Sequence, residues 1–345
     1  MKIMTGIDLH SNNAVCALID EEGKRLGHRK VPCELPAVLE FLKPYRKQID
    51  TIAVESTFNW YWLVDGLQDA GYRVLLANPA KIEQYQGLKH SDDKSDAFFL
   101  AEMLRLKILP TGYLYERSQR SVRDLLRRRM GLVRQRTILV LSLKSLHQRM
   151  TGQALATSAT KTLGINELVG KFQDPHDQLI AREQGELIRR LSAAIHRIEK
   201  AVEEGMVCHT HFERLKTIPG VGPILGLTIA LESGDMSRFP TAGDFASYSR
   251  CVNSNRLSNG KSKGRNNARA GNRYIAWAWV EAANFARRFD PACRRFFDRK
   301  MAQTNRMVAT KALACKLSKA AWHMVTSETD YDPARIFPGA KKTKD

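Results

Sequence analysis

The chain lacks any apolar run near the about 18 to 20 residues that a bilayer-spanning helix needs, and Met1-Lys2-Ile3-Met4-Thr5-Gly6-Ile7-Asp8 carries an acid where a signal peptide has its apolar stretch. Both absences predict a cytoplasmic protein with no membrane partner. The six cysteines, Cys16, Cys33, Cys208, Cys251, Cys293 and Cys315, form no Cys-x-x-Cys pair, which argues against a disulfide framework and a four-thiolate zinc site. Cys208-His209-Thr210-His211 has no second ligand pair at finger-like spacing and reads as a polar helix end. Internal repeats and low-complexity tracts are absent, and no glycine-rich phosphate loop follows the first strands. Acids are the scarce charge: 36 Asp and Glu face 55 Lys and Arg, a net charge of +19. Such a surplus predicts a polyanionic partner, nucleic acid above all, and says nothing about fold.

With 345 residues, 43% hydrophobic and 26% charged, the chain has the composition of a globular protein of two or three domains. Residues 1 to about 110 alternate strand-like runs (2–9, 14–19, 51–54, 73–77) with helical ones (36–45, 61–70, 96–106), an α/β pattern. His10-Ser11-Asn12-Asn13 between the first two runs predicts an antiparallel hairpin opening a mixed sheet. From Glu116 to Met150 the chain becomes helical and basic, with ten Arg or Lys between Arg117 and Arg149 against the single acid Asp124. Leu125, Leu132, Leu139 and Leu146 recur every seven residues, and a companion seam runs Val122, Arg129, Arg136, Leu143, Met150. A polar stretch over 151–177 precedes a second amphipathic helix with Leu187, Leu191, Ile195, Ile198 and Val202 on one face. Two such helices make an antiparallel coiled-coil arm; an ordinary bundle packed on the first domain fits the same pattern. From about Phe212 follow glycine-punctuated helices, a basic loop and an Ala- and aromatic-rich helix over 273–287. The predicted domains are 1–112, 113–208 and 209–335, with a frayed tail at 336–345.

Three constellations could carry chemistry. Asp8 lies in the first strand and Glu55 ends another, so one sheet can set them side by side; on the helix after Ser91, Asp93 and Asp96 share a face at i, i+3, as do Asp92 and Asp96 at i, i+4. Spacing alone does not choose between these pairs. Carboxylates gathered from two strands and a helix match a two-magnesium phosphoryl-transfer site; singly, each also reads as a turn acid, cap or ion-pair partner. The basic loop over 253–265, with Arg256, Lys261, Lys263 and Arg265, continues to Arg269 and Arg273 without an acid and suits gripping phosphate, as a solvated loop also would read. Ser258 or Ser262 within it could act as a nucleophile. The turn Ile218-Pro219-Gly220-Val221-Gly222 resembles a helix-hairpin-helix, whose backbone N–H groups meet DNA phosphate. Trp277 and Trp279, two apart, cannot share a helix face, so at least one belongs to the core.

Taken in order, Gly6-Ile7-Asp8, Val54-Glu55-Ser56-Thr57, Asn78-Pro79, Asp93-Lys94-Ser95-Asp96-Ala97 with Leu100-Ala101-Glu102, Ile218-Pro219-Gly220-Val221-Gly222 and Arg256-Leu257-Ser258-Asn259-Gly260-Lys261 resemble the DEDD-type transposases of bacterial insertion sequences and the related pilin-gene DNA invertases. The resemblance covers nearly the whole chain. It implies a RuvC-like, ribonuclease-H-type domain, a coiled-coil insertion and a helical C-terminal transposase domain. It further implies Asp8, Glu55, Asp93 and Asp96 as ligands of Mg2+, or Mn2+, and Ser258 as the nucleophile that leaves a phosphoserine link and a free 3′ hydroxyl. Implied partners are donor and target DNA, a structured noncoding guide RNA, and further copies of the chain, a homodimer assembling to a homotetramer. The arm, with Arg127, Arg128 and Arg129, and the Gly220–Gly222 turn are the expected nucleic-acid contacts beside the basic loop. Two rival readings are a Holliday-junction-resolvase-like nuclease, in which water attacks and no serine is needed, and a non-catalytic nucleic-acid-binding scaffold.

Overall fold

Aliphatic and β-branched runs at the start of the chain form the predicted hairpin: β1 (Ile3–Leu9) pairs antiparallel with β2 (Asn13–Asp20), Ile7 opposite Cys16. In this computed structural model, residues 1–82, 92–205, 210–252, 255–258, 261–265 and 271–337 are described, and they divide into two units, Met1–Tyr115 and Glu116–Asp345. The first unit adds β3 (Arg25–Pro32), α1 (Leu35–Leu42), β4 (Ile49–Glu55), α2 (Tyr61–Asp69), β5 (Val74–Ala77), the short α3 (Pro79–Ile82) and α4 (Asp93–Arg105). Its five strands lie in the order β3-β2-β1-β4-β5, with β4 parallel to both β1 and β5, a mixed sheet as expected. Strand β3 was not predicted. Lys and Arg on this outermost strand obscure its alternation, and such charges suit an edge that must not pair further. Ile3, Ile7, Ile52 and Val54 pack with Leu63, Val64 and Leu67 of α2 on one side of the sheet; on the other, Ala97 and Phe98 of α4 meet Val15 and Ala17.

In the second unit the basic stretch is one 35-residue helix, α5 (Arg117–Thr151), joined through α6 (Ala159–Thr162) and α7 (Ile165–Val169) to α8 (Pro175–Glu204). Arg129 meets Glu199, Arg136 meets Ser192 and Ser142 meets Gln184, so the two long helices run antiparallel. The stretch over 151–177 is more than a polar interruption: Leu155, Leu168, Val169 and Phe172 are buried there against Val140, Leu143, Leu146, Ala181 and Ile188. Leu187, expected on the packed face of α8, is exposed instead. At that level the packed face runs through Ala181, Gly185 and Ile188, because α7 lies so close that a Cβ on Gly185 would come 2.8 Å from Leu168 Cδ2.

The base of α5 and α8 shares a cluster, Leu126 and Val202 with Phe212, Leu227 and Leu231, with α9 (Thr210–Lys216) and α10 (Pro223–Ser233). Then come α11 (Ala242–Tyr248), the hairpin β6 (Asn255–Ser258) and β7 (Lys261–Arg265), and α12 (Arg273–Phe289), α13 (Pro291–Gln303), α14 (Arg306–Thr326) and α15 (Pro333–Ile336). The basic segment read from sequence as a loop is thus a two-stranded hairpin, with Leu257 opposite Ser262 and Ser258 opposite Lys261. Trp279 is fully buried at the centre of this unit's core, whereas Trp277 is only partly covered. Among the described residues no helix is long and apolar enough to cross a membrane.

Candidate metal centre

Asp8 and Glu55 are neighbours because β1 and β4 run parallel: Ile7 pairs with Val54, and the two acids follow on adjacent strands. The third element reaches them through Gly6. A Cβ on that residue would lie 2.0 Å from the Ala97 carbonyl oxygen and 2.7 Å from the Ala101 nitrogen, so only glycine lets α4 lie flat on β1. This contact sets the first turn of α4, with Asp93 and Asp96, beside the strand ends. Asp92 caps the helix, its Oδ1 accepting from the Ser95 N–H at 2.7 Å. Capping thus turns Asp92 away and leaves the i, i+3 pair.

Asp8 is buried, 2% exposed. Its Oδ2 lies 3.1 Å from His10 Nε2, which lies 3.3 Å from Asp93 Oδ1; Lys30 Nζ is 3.4 Å from Asp93 Oδ2. Yet Asp8 Oδ2 and His10 Nε2 make no hydrogen bond to any described residue. Burial pushes the Asp8 carboxyl up to about 8, reinforced by a hydrogen bond and the charge of Glu55 and by the charges of Asp96 and Asp93. Asp96 is raised as well, by burial, then by Glu55, Asp93 and Asp92, with His10 opposing. Asp8 and Asp96, made costly to ionise by burial and by the neighbouring acids, around a buried oxygen without a partner, fit a divalent cation: hard oxygen donors, and a positive charge that would offset both penalties. The ligand atoms of Asp8, His10 and Asp93 lie within 4.8 Å of one another.

His10, legible in the sequence only as part of the turn after β1, stands among the acids. The available signal was alternation: two residues past Asp8, it projects to the same side of the strand. Beside the acids opens a cleft of about 520 Å³ lined by Val15, His28, Arg29, Lys30, Asp92, Asp93 and Lys94, a basic wall that the unpredicted β3 supplies.

The other expected site residues lie in the second unit. Ser258 ends β6, and Arg256, Lys261, Lys263 and Arg265 lie along the hairpin, described as strand backbone; Arg269 and Cys208 lie outside the described residues. Gly220 and Gly222 sit between α9 and α10 as expected. Gly220 has φ +87°, and a Cβ there would come 2.5 Å from Phe285 Cβ, so packing on α12 explains it. Gly222 caps α10, and an added Cβ would meet nothing within 4 Å; that side of the turn is open. On the arm, Arg128 is exposed, but Arg127 donates to Glu232 at 2.5 and 2.7 Å, and Arg129 to Glu199 at 2.8 and 2.6 Å.

Comparison with known proteins yields two family matches. Residues 5–150 match the IS110-type DEDD family described as "Transposase", and residues 212–298 match "Transposase IS116/IS110/IS902 family". The chain is 24% identical over 318 residues to the "Probable family 20 transposase" of Pseudomonas aeruginosa, covering 89% of this chain and 93% of that protein. It is 30% identical over 171 residues to the "Insertion element IS900 uncharacterized 42 kDa protein" of Mycobacterium paratuberculosis, 48% of this chain and 43% of that one. A further match, 30% over 114 residues, is the "Insertion element IS110 uncharacterized 43.6 kDa protein" of Streptomyces coelicolor, covering 32% and 28% of the two chains.

Proposed function

We propose, from the premise that this chain is a DEDD-type insertion-sequence transposase of the IS110 family, that it moves its element by strand exchange through a composite site of four carboxylates and a serine. Dependence on a divalent metal goes with the family; we assign that metal as Mg2+, with Mn2+ able to take its place. Asp8, Glu55, Asp93 and Asp96 would hold it, in a domain we read as RuvC-like, and its chemistry would be to neutralise a DNA phosphate and the oxygen leaving it. The observation that carries the reading is the convergence of acids from β1, β4 and α4 on a buried, unpartnered Asp8 oxygen.

The rest falls to the chain's own residues. Lys30, Arg29 and Lys94, along the cleft beside Asp93, neutralise the backbone phosphates of the bound strand. Ser258 supplies the hydroxyl, from its own or a neighbouring subunit: its oxygen bonds to phosphorus, the bond to the 3′ oxygen breaks, and phosphoserine and a free 3′ hydroxyl result. Its place at the end of β6, opposite Lys261 in a run of cations, supports the choice. Gly222, Arg128, Arg256, Lys261, Lys263, Arg265 and Arg269 grip nucleic acid. The domains are 1–112, 113–208 and 209–335. A homodimer pairs to a homotetramer on donor and target DNA, with a structured noncoding RNA selecting both by base pairing, at the nucleoid in the cytoplasm. The transposase matches favour this over a resolvase or an inert scaffold. The test is the covalent protein–DNA adduct formed with element-end DNA, the matching RNA and Mg2+. Ser258→Ala is expected to form none; an adduct from that variant refutes the nucleophile.

A further inference from the structure

We infer that His10 is a nitrogen ligand of the carboxylate centre, so that the site also accepts Mn2+, and holds it more tightly than Mg2+, through one imidazole nitrogen together with carboxylate oxygens. The inference rests on the metal-centre reading above and deepens it.

His10 follows the last residue of β1, and three contacts fix it: its N–H donates to the Asn13 carbonyl at 2.9 Å, and its own carbonyl accepts from Asn59 Nδ2 at 2.9 Å and from the Cys33 thiol at 3.5 Å. A residue so held presents its side chain on the Asp8 side of the strand with little freedom left to lose. The imidazole then stands with Nε2 within 3.3 Å of oxygens from both Asp8 and Asp93. If His10 were only the ion-pair partner of these acids, its N–H would point at one of them. Nε2 is hydrogen-bonded to neither, and the facing Asp8 oxygen is equally without a donor. Three ligand atoms within 4.8 Å of one another, close but not hydrogen-bonded, have the arrangement of donors directed at a common point.

The donor set carries a consequence for the choice of ion. Magnesium takes oxygen almost exclusively, whereas imidazole is a regular ligand of first-row transition ions. Oxygens alone would make a magnesium site; one added nitrogen favours a transition ion over magnesium of equal charge.

Mn2+ is the probe, bound to the whole chain without DNA and followed by electron paramagnetic resonance. Wild-type protein is expected to show nitrogen coupling on the bound Mn2+, changing to the 15N pattern when the protein is made with 15N-histidine, a readout that needs no mutation. In His10→Ala that coupling disappears, the Mn2+ dissociation constant rises at least about tenfold, and the Mg2+ constant, from competition, moves by less than about threefold. Millimolar imidazole restores part of the lost Mn2+ affinity. Bound Mn2+ without nitrogen coupling in the wild type, or His10→Ala binding Mn2+ as tightly as or more tightly than wild type, overturns the assignment and leaves His10 as a charge partner. Asp8→Asn separates the two levels: if it loses Mn2+ while His10→Ala keeps it, only the histidine assignment falls. If wild type binds no Mn2+, or Asp8→Asn binds it undiminished, the metal centre falls and His10 with it.

Discussion

Glu232 offers the sharpest test of how the second unit is held together. Its carboxylate is 2% exposed on α10 and accepts from Arg123 Nε at 3.1 Å, Arg127 at 2.5 and 2.7 Å and Asn272 Nδ2 at 2.6 Å. Asn272 also caps α12, the Glu232 carbonyl accepts from the Tyr248 hydroxyl at 3.1 Å, and Arg127 stacks on Tyr274 at 4.4 Å. One acid therefore ties α5 to α10, α11 and α12. Glu232→Gln keeps the shape and removes the charge, leaving two largely buried guanidinium groups without their shared anion; breaking a buried pair in this way costs about 3 to 5 kcal/mol. For a unit of this size that is a fall of roughly 10 °C in melting temperature, read from the fluorescence of Trp277, Trp279 and Trp322. The charge environment holds the Glu232 carboxyl below its usual range despite burial, so its contribution is fully present above about pH 4.3 and is lost as pH falls through the lower folded value. The gap between wild type and variant should therefore close in acid, and 1 M NaCl, which screens surface pairs, should leave it nearly unchanged at pH 7. A variant melting within about 1 °C of wild type at pH 7 would refute the reasoning and return Arg127 to the cations free to meet phosphate.

Gly6→Ala should destabilise the first unit by about 1 to 3 kcal/mol, as overpacking against fixed backbone does, and weaken Mn2+ binding because α4 must lift away; unchanged melting and unchanged Mn2+ affinity would contradict the close approach. Asp8→Asn should, in chelator, make the first unit more stable than wild type at neutral pH. A carboxyl with a folded value of about 8 and an unfolded one near 3.9 penalises folding increasingly as pH rises between them, on the order of 4 kcal/mol at pH 7. The two proteins should converge near pH 4, and divalent metal should stabilise only the wild type. Parallel pH profiles would show that Asp8 is not strained.

What could be read from the sequence follows from how local each signal is. β1, β2 and β4 are legible because their apolar residues are contiguous and buried on both faces; β3 is not, since an edge strand carrying Arg25, His28, Arg29 and Lys30 looks like a loop until a neighbour pairs with it. Asp92 and Asp93 fit the helix face equally well, and only the cap to Ser95 separates them. The arginines that break the heptad seam, and their neighbour Arg127, are legible as cations but not as to what they meet. Glu199 and Glu232 lie 70 and 105 residues away, and nothing local distinguishes a distant carboxylate from a phosphate. That pairing bears on the metal centre too. In a chain with 19 more basic than acidic groups, Glu199 and Glu232 are matched to arginines. Asp8, Glu55, Asp93 and Asp96 have, among the described residues, only His10 and Lys30 within ion-pair distance of any of them. Charge scarcity over the whole chain and charge surplus at one point are hard to reconcile as structural economy, since a fold that needed only stability would have spread those acids among its more numerous cations. The surplus is intelligible if the missing positive charge arrives from solution as a divalent ion, and the basic cleft beside it is then the approach for the phosphate that the ion meets.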